Sequence, residues 1–313
     1  MTQKFNSTID GKALFKKSLI FLITYIICFA GLMQMAISEI WIGYFIMIIL
    51  LLVASFALQF QFINAFIPAI TFDEKPFSFN GTFSDYMKIN LKGLLLTVIT
   101  LGIYSSWYAK DINCFLADHT SYPEKNLTFN GRGGKLLIYT LFSFLLPIII
   151  LVAILTPMYI AGLQGNYSML ILAGIIYIGG VFIIASVYSF YEYKWMINYT
   201  FGSDDVILNA TAMKAILFVF IQMFLGMITF GIYMFAAEVK IFAYFADHTV
   251  FRDRVEGKDK IMHFTGITGE GFSLILGQTL LTIITLGLYM PVAYARINNW
   301  FISNLEVGED QSE

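Results

Sequence analysis

Charge is what this chain has little of. Only 13% of its 313 residues are Asp, Glu, Lys or Arg, about half the roughly 25% usual in a soluble domain. Fifty-eight per cent are hydrophobic and 17% aromatic, with a mean hydropathy of +0.74. A water-soluble protein of this length needs a charged exterior, and this sequence cannot supply one. The net charge of −2 leaves no basic excess, which argues against nucleic acid as a partner. Cysteine is nearly absent: Cys28 and Cys114 stand alone, without metal-ligand spacing and with nothing that requires a disulfide. No Walker loop, Gly-x-Ser-x-Gly, His-Glu-x-x-His, Cys-x-x-Cys or cofactor-binding glycine turn occurs. The expectation is a protein without cofactor or metal and without enzymatic activity.

What the chain does have is long apolar runs, several reaching the ~20 residues a helix needs to cross a bilayer core. The lipid bilayer is the expected partner; protein partners are not readable. Four lysines (Lys4, Lys12, Lys16, Lys17) precede the first run, which exceeds a signal-peptide core and lacks an A-x-A cleavage site. A retained first helix with a cytoplasmic N-terminus follows from the positive-inside bias.

One motif recurs. Apolar runs end in Thr-x-Gly and then, after Ile or Leu, Tyr, at Thr100/Gly102/Tyr104, Thr229/Gly231/Tyr233 and Thr285/Gly287/Tyr289. A second motif, Phe-x-Gly, ends in Gly81, Gly131 and Gly266 and reads as a short strand entering a turn. An offset of 185 residues aligns Phe79, Gly81, Thr100, Gly102 and Tyr104 with identical residues. An offset of 129 aligns Thr100, Gly102, Tyr104 and Ala117–Thr120. Matches at both motifs in one register point to internal duplication. The division is then 1–70, a polar segment plus a two-helix hairpin; 71–126, repeat 1; 127–208, a divergent repeat 2 with two spans; 209–261, repeat 3; 262–307, repeat 4; and 308–313, an acidic tail expected to be disordered.

The Phe-x-x-Gly-like turns, the apolar helix ending in Thr-Leu-Gly-Ile-Tyr-x-x-Trp, and an amphipathic helix closed by an Asn/Asp-x-Thr corner resemble the bacterial YjgN family of inner-membrane proteins, whose function is unknown. The resemblance covers about residues 77–307 and is strongest at Phe77–Thr120 and Met262–Asn304. The family's Pro-Trp after the Tyr is split here, with Ser106-Trp107 in one copy and Pro291 without the Trp in another. The resemblance implies a compartment, the inner membrane, and a fold family, and no activity.

The fold expected is all-α and polytopic: about seven transmembrane helices, with short β-like Phe-x-Gly turns and amphipathic interfacial helices between them. The alternative makes the Thr-x-Gly helices re-entrant, with all nineteen Lys and Arg on one side and the Phe-x-Gly strands in one small sheet. Crossing is favoured, because each of these runs is long enough and lipid-exposed reversals are forbidden unless buried in protein. The functional expectation is a transporter- or permease-like protein, with a non-catalytic membrane scaffold or envelope-assembly protein as the alternative. Broken helices in repeats are a transporter device, with Gln222, Gln278 and the motif threonines as lining. The sharpest polar constellation, Asp118-His119 with Asp247-His248, reads as helix ends first and as a metal site second.

Overall fold

The computed structural model describes residues 2–123, 125–255 and 257–309. Along these residues one order of elements recurs five times: a strand, an outgoing helix, a returning helix, and a second strand. The first pass is β1 (Gln3–Ser7), α1 (Gly11–Ile37), α2 (Trp41–Phe66) and β2 (Ile70–Phe72). After the two-residue β3 (Lys75–Pro76) comes the second: β4 (Ser78–Phe79), α3 (Phe83–Ile99), α4 (Ser105–Asp118) and β5 (Thr120–Tyr122). The third is β6 (Lys125–Phe129), α5 (Gly133–Thr140) running on into α6 (Leu146–Leu163), then α7 (Tyr167–Met196) and β7 (Tyr199–Phe201). The fourth is β8 (Asp204–Leu208), α8 (Ala212–Ile228), α9 (Met234–Asp247) and β9 (Thr249–Asp253). The fifth is β10 (Asp259–Phe264), α10 (Thr268–Ile284), α11 (Met290–Ser303) and β11 (Leu305–Glu309).

The chain forms two compact units, Met1–Thr128 with Phe264–Gly308, and Phe129–His263 with Glu309–Glu313. Within the first unit the strand orders are β3-β2-β1-β11 and β4-β5-β6; within the second the order is β7-β8-β9-β10. The pairings inside each unit are antiparallel, for example Phe5 opposite Phe72 and Val206 opposite Phe251.

Each hairpin is closed at its base by one backbone bond. The N–H just after the first strand donates to the carbonyl just before the second: Thr8 to Ala69 (3.0 Å), Asn80 to His119 (3.0 Å), Asn130 to Asn198 (2.8 Å), Asn209 to His248 (2.8 Å) and Thr265 to Asn304 (2.9 Å). Because these groups sit where strand gives way to helix, neither ladder would satisfy them. Two of the five bases, at Thr8 and Asn209, lack the Phe-x-Gly motif. The sequence there is Phe5-Asn-Ser-Thr8 and Leu208-Asn-Ala-Thr211, so the recurring signal is the polar residue before the turn more than the glycine.

The glycine has a steric cause. A Cβ on Gly81 would lie 2.5 Å from Phe79 Cζ, one on Gly131 2.2 Å from Phe129 Cζ, and one on Gly266 2.4 Å from Phe264 Cζ. The Phe ring folds back over the glycine two residues later and meets an aromatic of the returning helix, Phe115, Trp195 or Trp300. Leu208 has no ring, and Ala210 is tolerated there.

Apolar cores gather near these bases. In the first unit Phe56, Tyr86 and Phe115 form one cluster and Ile9, Leu14 and Ala295 another; in the second, Phe190, Val219 and Phe245 pack together. Asn299 ties the two ends of the first unit. Its Oδ1 accepts from Ser7 Oγ (2.7 Å) and Ile9 N–H (2.8 Å), and its Nδ2 donates to the Ile9 carbonyl (3.0 Å).

The expected all-α protein with seven crossing helices is thus corrected on both counts. Eleven strands are present, and among the described residues four helices are long and apolar enough to cross a membrane: Gly11–Ile37, Trp41–Ala69, Gly133–Leu163 and Tyr167–Met196. The three Thr-x-Gly helices, α3, α8 and α10, have 17 residues each. Their chain reverses at the motif, and the segments expected to lie as interfacial helices, α4, α9 and α11, are the returning legs packed against them. Hydropathy alone counts each outgoing leg as a span because it does not see the reversal. A π turn at Leu141–Leu145 leads into α6 just before Pro147, where the ring leaves a backbone carbonyl without its N–H partner. Of the acidic tail, 310–313 lie outside the described residues, while Leu305–Glu309 form β11.

Two outcomes follow from the bases. Gly266→Ala should lose about 1–3 kcal/mol through overpacking, whereas Ala210→Gly should change stability by under about 1 kcal/mol; melting in detergent followed by circular dichroism checks both. In the second unit Arg254 donates to Asp205 through Nε (2.7 Å) and Nη2, and this bond holds the Asp205 carboxyl below its ordinary value of 3.8. A lowered folded pKa means that the stabilisation is present above that ordinary value and is lost as pH falls through the lowered one. The melting-temperature gap between wild type and Asp205→Asn should therefore hold at neutral pH and close below about pH 4.

Candidate functional site: the hairpin turns and an apolar cavity

The three Thr-x-Gly motifs are one turn built three times. In the first, helix α3 ends at Thr100, Leu101 takes a left-handed conformation (φ 50°) and Gly102 follows at φ 93°. Gly102 N–H donates back to the Thr97 carbonyl (2.7 Å) and Leu101 N–H to Val98 (3.1 Å), the pair of bonds of a Schellman cap. Thr100 Oγ1 donates to the Leu96 carbonyl (2.7 Å) and accepts from Tyr104 N–H (2.9 Å), the first residue of the return. Thr229 and Thr285 repeat this: Tyr233 and Tyr289 N–H donate to their Oγ1 at 3.0 Å, and Gly231 and Gly287 close onto Gly226 (2.8 Å) and Thr282 (2.7 Å). The hydroxyl supplies an acceptor to the tyrosine N–H that the reversal leaves open, and adds a second donor to a carbonyl already bonded by the threonine's own N–H.

The motif tyrosine reaches two turns along the returning leg to a charged residue. Tyr104 Oη donates to Asp111 (3.4 Å), Tyr233 Oη accepts from Lys240 Nζ (3.0 Å) and donates to Gln222 Oε1 (2.6 Å), and Arg296 lies 6.0 Å from the Tyr289 ring centre. The glycines mark the far end of each short hairpin from the strands. Of the residues expected to line a polar path, the three threonine hydroxyls are engaged in the turns and Gln222 is bonded to Tyr233; Gln278 is buried with its Oε1 unpartnered among the described residues.

The Asp-His pairs end helices. His119 Nδ1 lies 2.8 Å from the Phe115 carbonyl with its ring against Phe115, and His248 Nδ1 lies 2.7 Å from the Tyr244 carbonyl with its ring stacked on Tyr244. Asp118 closes α4 in the first unit and Asp247 closes α9 in the second. No group of three or more His, Cys, Asp or Glu positioned for a metal occurs among the described residues.

The first unit also holds a cavity of about 910 Å³, within the size range of small-molecule sites. One wall is α1 from Phe15 to Tyr25, the second the last turns of α2, and the third the α10/α11 turn from Leu286 to Tyr294; Tyr86 and Leu116 reach it from the second hairpin. None of the described lining residues is charged. The polar atoms in the walls are mostly engaged: Tyr86 Oη donates to Gln59 Oε1 (3.0 Å), Ser18 Oγ to the Leu14 carbonyl (2.9 Å), and Tyr25 pairs with Ser55. The Gln59 amide nitrogen makes no bond among the described residues, which leaves a donor at the cavity wall. Sequence reading missed this site because its lining comes from five separate stretches, Phe15–Tyr25, Leu58–Ile67, Tyr86, Leu116 and Leu286–Tyr294, each part of an ordinary apolar helix face.

Helices long and apolar enough to cross a membrane, carried as hairpins on antiparallel strands and enclosing an apolar cavity, define a membrane-associated hairpin protein. The chain belongs to DUF898, a family of bacterial proteins of unknown function, which it matches over residues 74–211 and 260–313; the YjgN family that it resembles is this same family. No curated protein and no solved structure matches it.

The turn makes a direct prediction. Thr100→Val keeps shape but leaves Tyr104 N–H without its acceptor and should cost about 1–3 kcal/mol. Thr100→Ser, which keeps the hydroxyl, should stay within about 1 kcal/mol of wild type. Thermal denaturation in detergent micelles distinguishes them.

Proposed function

We propose that this is a bacterial inner-membrane protein, built by internal duplication, that takes the acyl chain of a lipid into the cavity of its first unit. The observation that carries the reading is the cavity itself: an apolar space of ligand size whose described walls hold no charge and whose polar groups are mostly paired already. A polar or ionic solute moved into such walls would lose its hydration without compensation, so polar-solute permeation is the less favoured form of a transporter-like role. A hydrocarbon chain loses nothing there, and the Gln59 amide offers a donor to an ester or carboxylate at its head. No nucleophile–base pair lines the space, so the role proposed is binding or passage of lipid rather than chemistry upon it.

The membrane placement rests on charge. In every hairpin the Lys and Arg lie at mid-leg or toward the strand end; Lys110, Lys240 and Arg296 are the nearest returning cations to the turns, and these stand nine or ten residues away. The positive-inside bias then sets the strands and the N-terminus in the cytoplasm.

The test is a photoactivatable fatty acid carrying a diazirine, added to the protein in phospholipid vesicles. We expect crosslinks in α1, in the last turns of α2 and in the α10/α11 turn, and a loss of at least about five-fold in the space-filling variant Ile63→Trp. Labelling spread evenly over all lipid-facing helices, or unchanged in Ile63→Trp, would overturn the proposal.

A further inference from the structure

The five hairpins differ in a way that the cavity does not explain. The turns of the long ones are polar: Ser38-Glu39 between α1 and α2, and Gln164-Gly165-Asn166 between α6 and α7. The turns of the short ones are apolar and carry a large side chain at the outermost position. Leu101 is 93% exposed, Phe230 97% and Leu286 94%. These three touch almost nothing of their own protein.

They are also held at a cost. Each occupies the left-handed region, at φ 50°, 50° and 49°, where a residue with a Cβ loses roughly 1–2 kcal/mol and where glycine is usual. In each turn glycine stands one place later instead. A strained position filled three times by a bulky apolar side chain, with no packing to offset the strain, indicates a contact outside the protein.

The depth of that contact can be read from the charges. The first ionised residue on the returning leg is nine residues from Leu101 (Lys110), eight from Phe230 (Glu238) and ten from Leu286 (Arg296). At 1.5 Å per residue these are about 12–15 Å, half of a hydrocarbon core about 30 Å thick. The long hairpins differ on this measure too: 22 residues, about 33 Å of helix, separate Lys17 from Glu39, enough to carry a charged turn through to the far water.

We propose that the three short hairpins enter only the leaflet on the strand side and bury Leu101, Phe230 and Leu286 in the acyl chains near the bilayer midplane, while the two long hairpins cross. The Thr-x-Gly-x-Tyr turn fits this depth, since backbone groups exposed to hydrocarbon must find partners within the chain, and the hydroxyl and the Schellman bonds provide them. The motif tyrosine spans the interval between the buried turn and the interfacial charge, an amphipathic ring at the depth where such rings settle. The inference does not rest on the cavity: Leu101 and Phe230 lie outside it.

The experiment uses the full chain with Cys28→Ala and Cys114→Ser, carrying single cysteines Glu39→Cys, Leu101→Cys, Phe230→Cys or Leu286→Cys. Each is reconstituted in phosphatidylcholine–phosphatidylglycerol vesicles and treated with a membrane-impermeant maleimide from either face. Glu39→Cys should react from the face opposite the strands. The three turn variants should react at least about ten-fold more slowly than Glu39→Cys from both faces and fully once dissolved in detergent, which also shows that the site is accessible in the folded protein. A bimane on the turn cysteines should be quenched more by lipids brominated near the methyl end than by lipids brominated near the headgroup. Rapid reaction from the far face would mean that the short hairpins cross, and rapid reaction from the strand face that they stay in water; either result overturns the proposal. Ile63→Trp, which fills the cavity, should leave all these rates unchanged.

Discussion

A helix that turns back inside an apolar medium strips hydrogen bonds from its last carbonyls and from the first N–H groups of the helix that follows, and nothing around it can replace them. In the short hairpins the last carbonyls are met by the Schellman bonds of the turn, and the first N–H of the return by a single side chain, the threonine whose hydroxyl accepts from the tyrosine and adds a second donor to Leu96, Leu225 or Leu281. The rest of the motif follows. Glycine takes the second left-handed position so that its N–H can reach back five residues, and the residue between them is driven outward. The base of each hairpin meets the same constraint with backbone alone, through one bond between strand end and helix end. A hairpin with both ends closed in this way needs no further polar contact along its length, which is why so few charges suffice for a chain of this size.

The long hairpins use different means to the same end. Their turns emerge as polar stretches, Ser38-Glu39 and Gln164–Asn166, and water can satisfy what the helices leave open. Asp10 caps α1 by accepting from the N–H groups of Lys12 and Ala13, and Asn166 caps α7 by accepting from Met169. Thr82 caps α3 similarly from the strand side, through Asp85 N–H. Side-chain capping of a helix start is thus found on the strand side, by Asp10 and Thr82, and at the polar α6/α7 turn, by Asn166.

Much of this was visible in the residues, but as punctuation rather than as topology. The apolar runs, the Thr-x-Gly-x-Tyr turns and the Phe-x-Gly corners are all where the sequence places them, and a reversal of the chain at Thr-x-Gly was among the alternatives. Crossing was preferred because 17 apolar residues and their flanks resemble a minimal span, and because α4, α9 and α11 are amphipathic enough to pass for interfacial helices. Their polar stripe comes from Lys110, Asp111, Glu238, Lys240 and Arg296, which begin only two turns beyond the reversal. The strands, two to six residues long, carry too little alternation to be seen singly; β1 and β8 were missed because Ile9 and Ala210 stand where the other corners have glycine. The cavity had no local signal at all, since it is made by packing Phe15–Tyr25, Leu58–Ile67 and Leu286–Tyr294 together.

The α10/α11 turn joins the two parts of the argument. Leu286, Gly287 and Leu288 both form the exposed end of a short hairpin and wall the cavity, so that end of the cavity lies at whatever depth the turn reaches. Gln59 and Tyr86 bound another part of it, and Tyr86 lies one turn into α3 from the strand side. A chain lying between them would have its polar end near the strand-side headgroups and its methyl end toward the apolar turn, the orientation a lipid already has in that leaflet. Entry then requires lateral displacement within the membrane and no inversion of the lipid. In the proposed placement the α10/α11 turn and the cavity of the first unit therefore serve the same leaflet.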